Sequence, residues 1–249
     1  MRILAFICIL SLFSTAVRAQ EADADALLRA AFDNWRAKSS DSEVTMTVHR
    51  PDWERSMSMK AWTQGDDFAL VRFTAPAKDA GNATLKTDKG TWIYNPKLNQ
   101  VIKLPASMLA QSWMGSDFSY NDLSKADDIL TEYTHKLVKT EETGGDKIYT
   151  IEAIPKPDAP VVWGKLVVKV REDGVMLAET YYDQDMKVVR EMTTEKVGEV
   201  GGRDYPLVMV MRPADEPEKW TRIETSSADF NIDLPSYLFT LSNLQNPRR

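Results

Sequence analysis

Apolar positions along this chain change their spacing once, near residue 40. In Asp23 to Lys38, Leu27, Leu28, Ala31, Phe32 and Trp35 recur at helical spacing and form one apolar stripe, which predicts an amphipathic helix. Ser39, Ser40, Asp41 and Ser42 are expected to end it. The period then becomes two. Glu43 to Arg50 sets Val44, Met46 and Val48 against Thr45, Thr47 and His49, and Ser56 to Thr63, Asp66 to Thr74, Asn82 to Thr87, Thr91 to Asn95 and Asn99 to Leu104 follow in the same style. Gly65-Asp66, Asp79 to Asn82, Asp88 to Gly90 and Asn95-Pro96 supply the turns between them.

A second run of alternating segments begins at Tyr133. Tyr133 to Glu142 and Lys147 to Ile154 flank Gly144-Gly145-Asp146, and Val162 to Glu172 and Val175 to Asp183 flank Asp173-Gly174. Lys187 to Val197, Arg203 to Met211 and Trp220 to Phe230 complete the set. The pattern predicts a mainly β chain of about eleven or twelve strands. They are expected to form one large, strongly curved antiparallel sheet over residues 20–249, with no linker or domain boundary inside it.

The amino-terminal residues read differently. Arg2 precedes an apolar run from Ile3 to Phe13, and Ala16-Val17-Arg18-Ala19 suits a signal peptidase, so residues 1–19 are expected to be removed as a signal peptide. Cys8, the one cysteine, leaves with it, so the mature chain is expected to have neither disulfides nor thiolate metal sites. Loss of Arg2 and Arg18 deepens a net charge that is already −6. That charge argues against nucleic acid and against adsorption to anionic lipid surfaces.

Between the two sets of strands, Pro105 to Lys125 breaks the alternation and concentrates Met108, Leu109, Trp113, Met114, Phe118, Tyr120 and Leu123. An interruption of this length inside a β domain reads as a partly helical lid or binding loop, or as a packed corner that plugs one end of the sheet. The eleven methionines and seven tryptophans are the other unusual feature. Methionine is flexible and polarisable and suits surfaces that accept irregular apolar ligands, although on composition alone plain core filling is the favoured explanation. A sixteen-carbon chain costs roughly 12 kcal/mol to leave in water, at ~0.8 kcal/mol per CH₂. A deep apolar cavity offsets that, and Met46, Met57, Met59, Trp92, Met108, Leu109, Trp113, Met114 and Phe118 are the candidate lining residues.

Catalytic signatures are not legible. His49 and His135 are far apart, each inside a predicted strand, and read as surface or edge-strand residues rather than metal ligands. Ser116 in Gly115-Ser116-Asp117 lacks a nucleophile-elbow context, and no glycine-rich phosphate loop occurs. Asp117, Asp122, Asp127 and Asp128 could pair, but acidic residues around turns more often cap them or stay solvated. Neither catalysis nor a cofactor or metal is expected.

The run Trp113-Met114-Gly115-Ser116-Asp117-Phe118-Ser119-Tyr120-Asn121-Asp122-Leu123 resembles the MGSDF motif of the LolA-like "outer membrane lipoprotein-sorting protein" family. Trp92 to Pro96 with Val101 to Leu104, Glu152 to Lys156, Tyr182-Asp183 and Phe230 to Phe239 resemble other segments of the same family. The resemblance implies an unclosed antiparallel β-barrel over helices that lid a hydrophobic cavity. It also implies a periplasmic, monomeric, non-enzymatic carrier of a lipid or lipid-modified protein, working to or from the outer membrane. Members of this branch are similar to proteins paired with RND/MMPL-type exporters, so an envelope lipid sensor or adaptor beside such a partner is the alternative, and an enzyme acting on lipids the third. Within the motif, Gly115 is expected to allow a tight turn and Asp117 to orient it. Met114 and Phe118 are expected to face the ligand.

Overall fold

A computed structural model describes residues 22–248. The expected signal peptide and Cys8 lie outside the described residues. Helix α1 (Ala24–Arg36) begins at Asp23, whose carboxylate accepts the Asp25 N–H, and turns Leu28, Ala31, Phe32 and Arg36 inward. The helix is therefore the one expected from the apolar stripe, but the chain does not pause at the serines. Strand β1 (Ser39–Arg50) starts at Ser39, because Ser40 and Ser42 already alternate inward with Asp41 outward.

Among the described residues there are thirteen strands, one on each alternating segment, where a total of about eleven or twelve was expected. β2 (Trp53–Gln64), β3 (Phe68–Ala75), β4 (Ala83–Thr87), β5 (Gly90–Asn95) and β6 (Gln100–Lys103) form one meander with β1. β7 (Tyr133–Thr143), β8 (Asp146–Pro155), β9 (Lys165–Arg171), β10 (Met176–Tyr182), β11 (Val188–Val200), β12 (Arg203–Pro213) and β13 (Trp220–Phe230) form the other. Pairing of β1 with β13, Met46 opposite Ile223, fuses them into a single antiparallel sheet. β6 and β7 are its two edges and do not pair, so the sheet is curved but unclosed.

The concave face holds α1 and the segment between β6 and β7. That segment contains a 3-10 turn (Ala106–Met108) and short helices α2 (Tyr120–Ser124) and α3 (Asp128–Thr131). Leu28, Phe32, Ile129, Ile151, Val168 and Met211 make the core on one side, and Met46, Met57, Met59, Phe73 and Trp113 that on the other. A third cluster lies on the convex side, where Leu70, Leu85 and Trp92 alternate out of the concave face. A 3-10 turn (Ser236–Phe239) and α4 (Leu241–Gln245) cover it with Phe239 and Leu244. Among the described residues, no helix is long and apolar enough to cross a membrane.

The β9–β10 hairpin seats α1. Gly174 has φ +88°, and a Cβ there would stand 2.9 Å from the Ala30 carbonyl oxygen of the helix. Gly174→Ala combines left-handed strain with a backbone clash, and should lower stability by about 1–3 kcal/mol, read as a fall in Tm of roughly 2–10 °C in thermal unfolding.

Candidate functional site

Between α1, the sheet and the crossing segment lies a cavity of about 280 Å³. Strand register gives its wall a direction. Ser40, Thr63, Ala69, Lys86 and Thr91 stand opposite one another on β1 to β5 and form one cross-strand row. The next row is Ser42, Ala61, Val71 and Thr84; the third is Val44, Met59 and Phe73; the fourth is Met46 and Met57. Alternate residues share a face, so all four rows look inward, and the wall passes from hydroxyls and a lysine to wholly apolar side chains within four steps.

The apolar end is plugged by a hairpin. Ser116 N–H donates to the Trp113 carbonyl (3.0 Å) and Trp113 N–H to the Phe118 carbonyl (2.7 Å), with Met114 and Gly115 at the tip at φ 53° and 76°. Two successive left-handed residues make a tight reversal, which glycine allows at the second without a Cβ penalty. Arg50 donates to the Gly115 carbonyl (3.1 Å) and Arg55 to that of Met114. Trp113 is buried against Phe73, ring centroids 5.4 Å apart, and its indole N–H reaches Thr84 Oγ1 at 3.2 Å.

Three aspartates, five residues apart, fasten this lid. Asp117 accepts from both terminal nitrogens of Arg50 (2.9 and 3.2 Å) and from the Thr221 hydroxyl (2.7 Å). Asp122 closes a capping box with Ser119 and meets Arg190 at 2.5 Å. Asp127 meets Arg36 at 2.5 Å and Lys86 at 2.9 Å. Their side chains are 8, 13 and 13% exposed. These are three of the four acidic residues read as turn caps or solvated groups; only Asp122 caps, and all three are buried ion-pair members, because their cationic partners come from β1, β11, α1 and β4, while the fourth, Asp128, is half-exposed and pairs with Lys125.

A family model described as an uncharacterized protein matches residues 65–246. The fold is similar to that of a DUF1329 family protein from Desulfovibrio piger (TM-score 0.79, 25% identity, covering 89% of this chain and 97% of that one). It is also similar to a putative outer membrane lipoprotein-sorting protein domain from Vibrio parahaemolyticus (0.77, 20%, 89% and 98%) and a LolA superfamily protein from Nitrosomonas europaea (0.73, 20%, 88% and 98%). Among curated proteins, none matches the chain. The chain belongs to the family this model describes, and its fold is LolA-like.

In this LolA-like chain the residues picked from sequence separate into three groups. Met59, Trp113 and Phe118 line the cavity. Met46 and Met57 are fully buried beneath the hairpin, and Met114 packs on the same cluster; they fill the closed end rather than border the open space. Trp92 is on the convex face, since its neighbours Thr91 and Ile93 take the inward and cross-strand positions beside Lys86 and Thr84, and Lys103 stacks on its ring at 5.1 Å. Met108, in the 3-10 turn, and Leu109, just after it, are half-buried and lie away from the cavity. Gly115, Ser116 and Asp117 build the hairpin. Of the histidines, His135 does lie on edge strand β7, but its side chain is 2% exposed, held by Asp25 (2.5 Å) and the Ile129 carbonyl (2.7 Å); His49 stacks on Trp220 in mid-sheet and bonds Glu54.

Alternation alone did not single out the polar wall or Glu179. That glutamate occupies an inward row, Ile151–Val168–Glu179–Met192–Met211, where every other member is apolar. Its carboxyl accepts the Tyr181 hydroxyl (2.6 Å), while the Arg190 guanidinium lies over both the Tyr181 and Trp163 rings, 4.4 and 4.7 Å from their centroids, and the two rings meet edge to face. Arg190 is already engaged by Asp122, so burial dominates and pushes the Glu179 carboxyl up to about 7. Among the described residues, no group of three His, Cys, Asp or Glu is arranged to hold a metal ion.

Two predictions follow from these charges. Asp117→Ala strands the Arg50 guanidinium and should cost about 3 kcal/mol in denaturant unfolding, with faster amide hydrogen exchange across the hairpin. For Glu179, the folded protein keeps a proton that the unfolded chain releases near its ordinary 4.5, so stability falls as pH rises from 4.5 to about 7. Glu179→Gln should therefore match the wild type near pH ~4.5 and exceed it by up to about 3 kcal/mol near pH ~8 in paired denaturant titrations.

Proposed function

We propose that this LolA-like protein is a non-enzymatic carrier that holds the acyl chain of a lipid or lipid-modified protein in the cavity beneath its lid. The observation that carries the reading is the cavity itself: a space walled by Met59, Phe118, Met209, Ile223 and Met192, and not filled by the protein's own side chains. Protein interiors are close-packed, and an apolar space of this size is one that alkyl carbon stabilises by occupying it. The LolA-like fold and the lipoprotein-sorting description of one structural relative support the same direction.

In this proposal residues 20–249 act as one unit in the periplasm after removal of the leader. The protein works as a monomer and delivers its cargo to or from the outer membrane, with an RND/MMPL-type exporter as a candidate partner. The lid supplies the gate. Its ion pairs to Arg36, Arg50 and Arg190 must loosen for a chain to enter, and charged contacts can reform without rearranging the sheet.

Filling the cavity tests the reading. Ala61 lies in the second wall row, between Ser42 and Val71, and borders the open space. Ala61→Trp should lower binding of a fluorescent sixteen-carbon fatty acid by about tenfold or more, since several buried methylenes at ~0.8 kcal/mol each lose their place, while the thermal unfolding transition stays cooperative. Unchanged binding would show that the chain lodges elsewhere.

A further inference from the structure

The polar end of the cavity carries more positive charge than the protein neutralises. Arg36, in the last turn of α1, and Lys86, in the first wall row, both border the space, and their side chains are 11 and 13% exposed. They share a single carboxylate, that of Asp127. Their remaining contacts are neutral carbonyls: Arg36 donates to Gly65 (3.2 Å) and Lys86 to Asp66 (2.6 Å). The Asp66 carboxylate points the other way, exposed and paired with Arg29. The neighbouring Lys125 is matched by Asp128 at 3.4 Å. Counted by direct ion pairs, one positive charge is left over, with Asp128 the next carboxylate within range of Lys86, and a partly buried charge without its own partner is costly.

Hydroxyls stand beside it. Ser40 and Thr63 bond each other at 2.7 Å, and Thr91 bonds Ser124 at 2.8 Å, all at the same end of the wall. From this row the β1–β3 wall becomes apolar toward Met59 and Phe118, while Glu179 stands on the opposite wall. A ligand that fits must therefore have an anion at one end and an apolar chain leading from it.

We propose that the Arg36–Lys86 pair is a head-group site that selects an anionic amphiphile, a carboxylate or phosphate ester of a long alkyl chain, over a neutral acyl lipid. The proposal rests on the carrier reading of the same cavity and names its ligand class. Asp127 belongs to the lid and occupies the two cations when the lid is closed. An incoming anion makes charge-assisted hydrogen bonds to the same nitrogens, so loading and release of this part of the lid are coupled.

Charge variants read the effect directly. Lys86→Met leaves Arg36 matched by Asp127 and brings the site to neutrality; Asp127→Asn leaves two cations unmatched. Arg36 is kept, because it also ties the end of α1 to Gly65. Hexadecanoic acid, hexadecyl phosphate and methyl hexadecanoate are titrated into the purified full chain and both variants, with circular dichroism to verify folding. The wild type should bind the two acids at least about tenfold more tightly than the ester, since a hydrogen bond to a charged group contributes about 1.5–3 kcal/mol. The acid-to-ester ratio should fall close to one in Lys86→Met and rise in Asp127→Asn. Tighter binding of hexadecyl phosphate assigns the site to phospholipid-type head groups, and of hexadecanoic acid to free fatty acids. A ratio near one in the wild type, or the same ratio in all three proteins, overturns the head-group site and leaves the carrier standing. If neither acid nor ester binds, the carrier reading falls and the head-group site with it.

Discussion

Chain connectivity imposes the main constraint on this molecule. The segment from Leu104 to Glu132 joins β6 to β7, and those strands are the two opposite edges of one curved sheet. The linking residues have to cross the open mouth on the concave side. Everything that makes a cavity follows from that crossing: a lid exists because the sheet is not closed, and it has to be fastened because it is a loop. The fastening uses Asp117, Asp122 and Asp127, each bonded to a guanidinium from a different wall. Buried ion pairs add little net stability compared with apolar packing, but they specify a single arrangement and their loss is costly. They suit a segment that must return to one closed position.

The same sheet face supplies both the packed core and the unfilled space, and the difference lies in the identity of inward residues along each strand. On β1 the inward series runs Ser40, Ser42, Val44, Met46, Val48; on β2 it runs Thr63, Ala61, Met59, Met57. Where both strands offer methionine, the Trp113 hairpin packs down and closes the interior. Where they offer serine, threonine and alanine, small side chains leave room and Arg36 and Lys86 border it. On the far side Glu179 interrupts an apolar row, is held by Tyr181, and keeps its proton to a higher pH than an ordinary glutamate. The cavity thus has an apolar floor, a cationic end and one protonatable acid on its opposite wall.

Much of the fold was legible because alternation reports half-buried strands well. The helix at α1, the segments that became the thirteen strands and the irregular lid were all visible from periodicity. The start of β1 was not, because Ser39 to Ser42 look like a helix stop when the inward face is polar. Trp92 was drawn into the candidate site because period two identifies two faces without saying which one turns inward; here the outer face is itself covered by Phe239 and Leu244, so an aromatic is at home there. The lid's ion pairs and the head-group cations join residues 41 to 91 positions apart, and no local pattern announces them. An inward lysine after Thr84 and an inward glutamate among valines and methionines were the available hints, and both require the register before they stand out.

The central claim is that the space beneath the lid is a ligand site for an alkyl chain. Native mass spectrometry of the protein, purified from a periplasmic fraction without detergent and followed by lipid extraction, addresses it most directly. The account predicts near-stoichiometric co-purification of an acyl-chain lipid or acylated peptide. A mass that is ligand-free as isolated, and stays so when the protein is challenged with lipid, would contradict it.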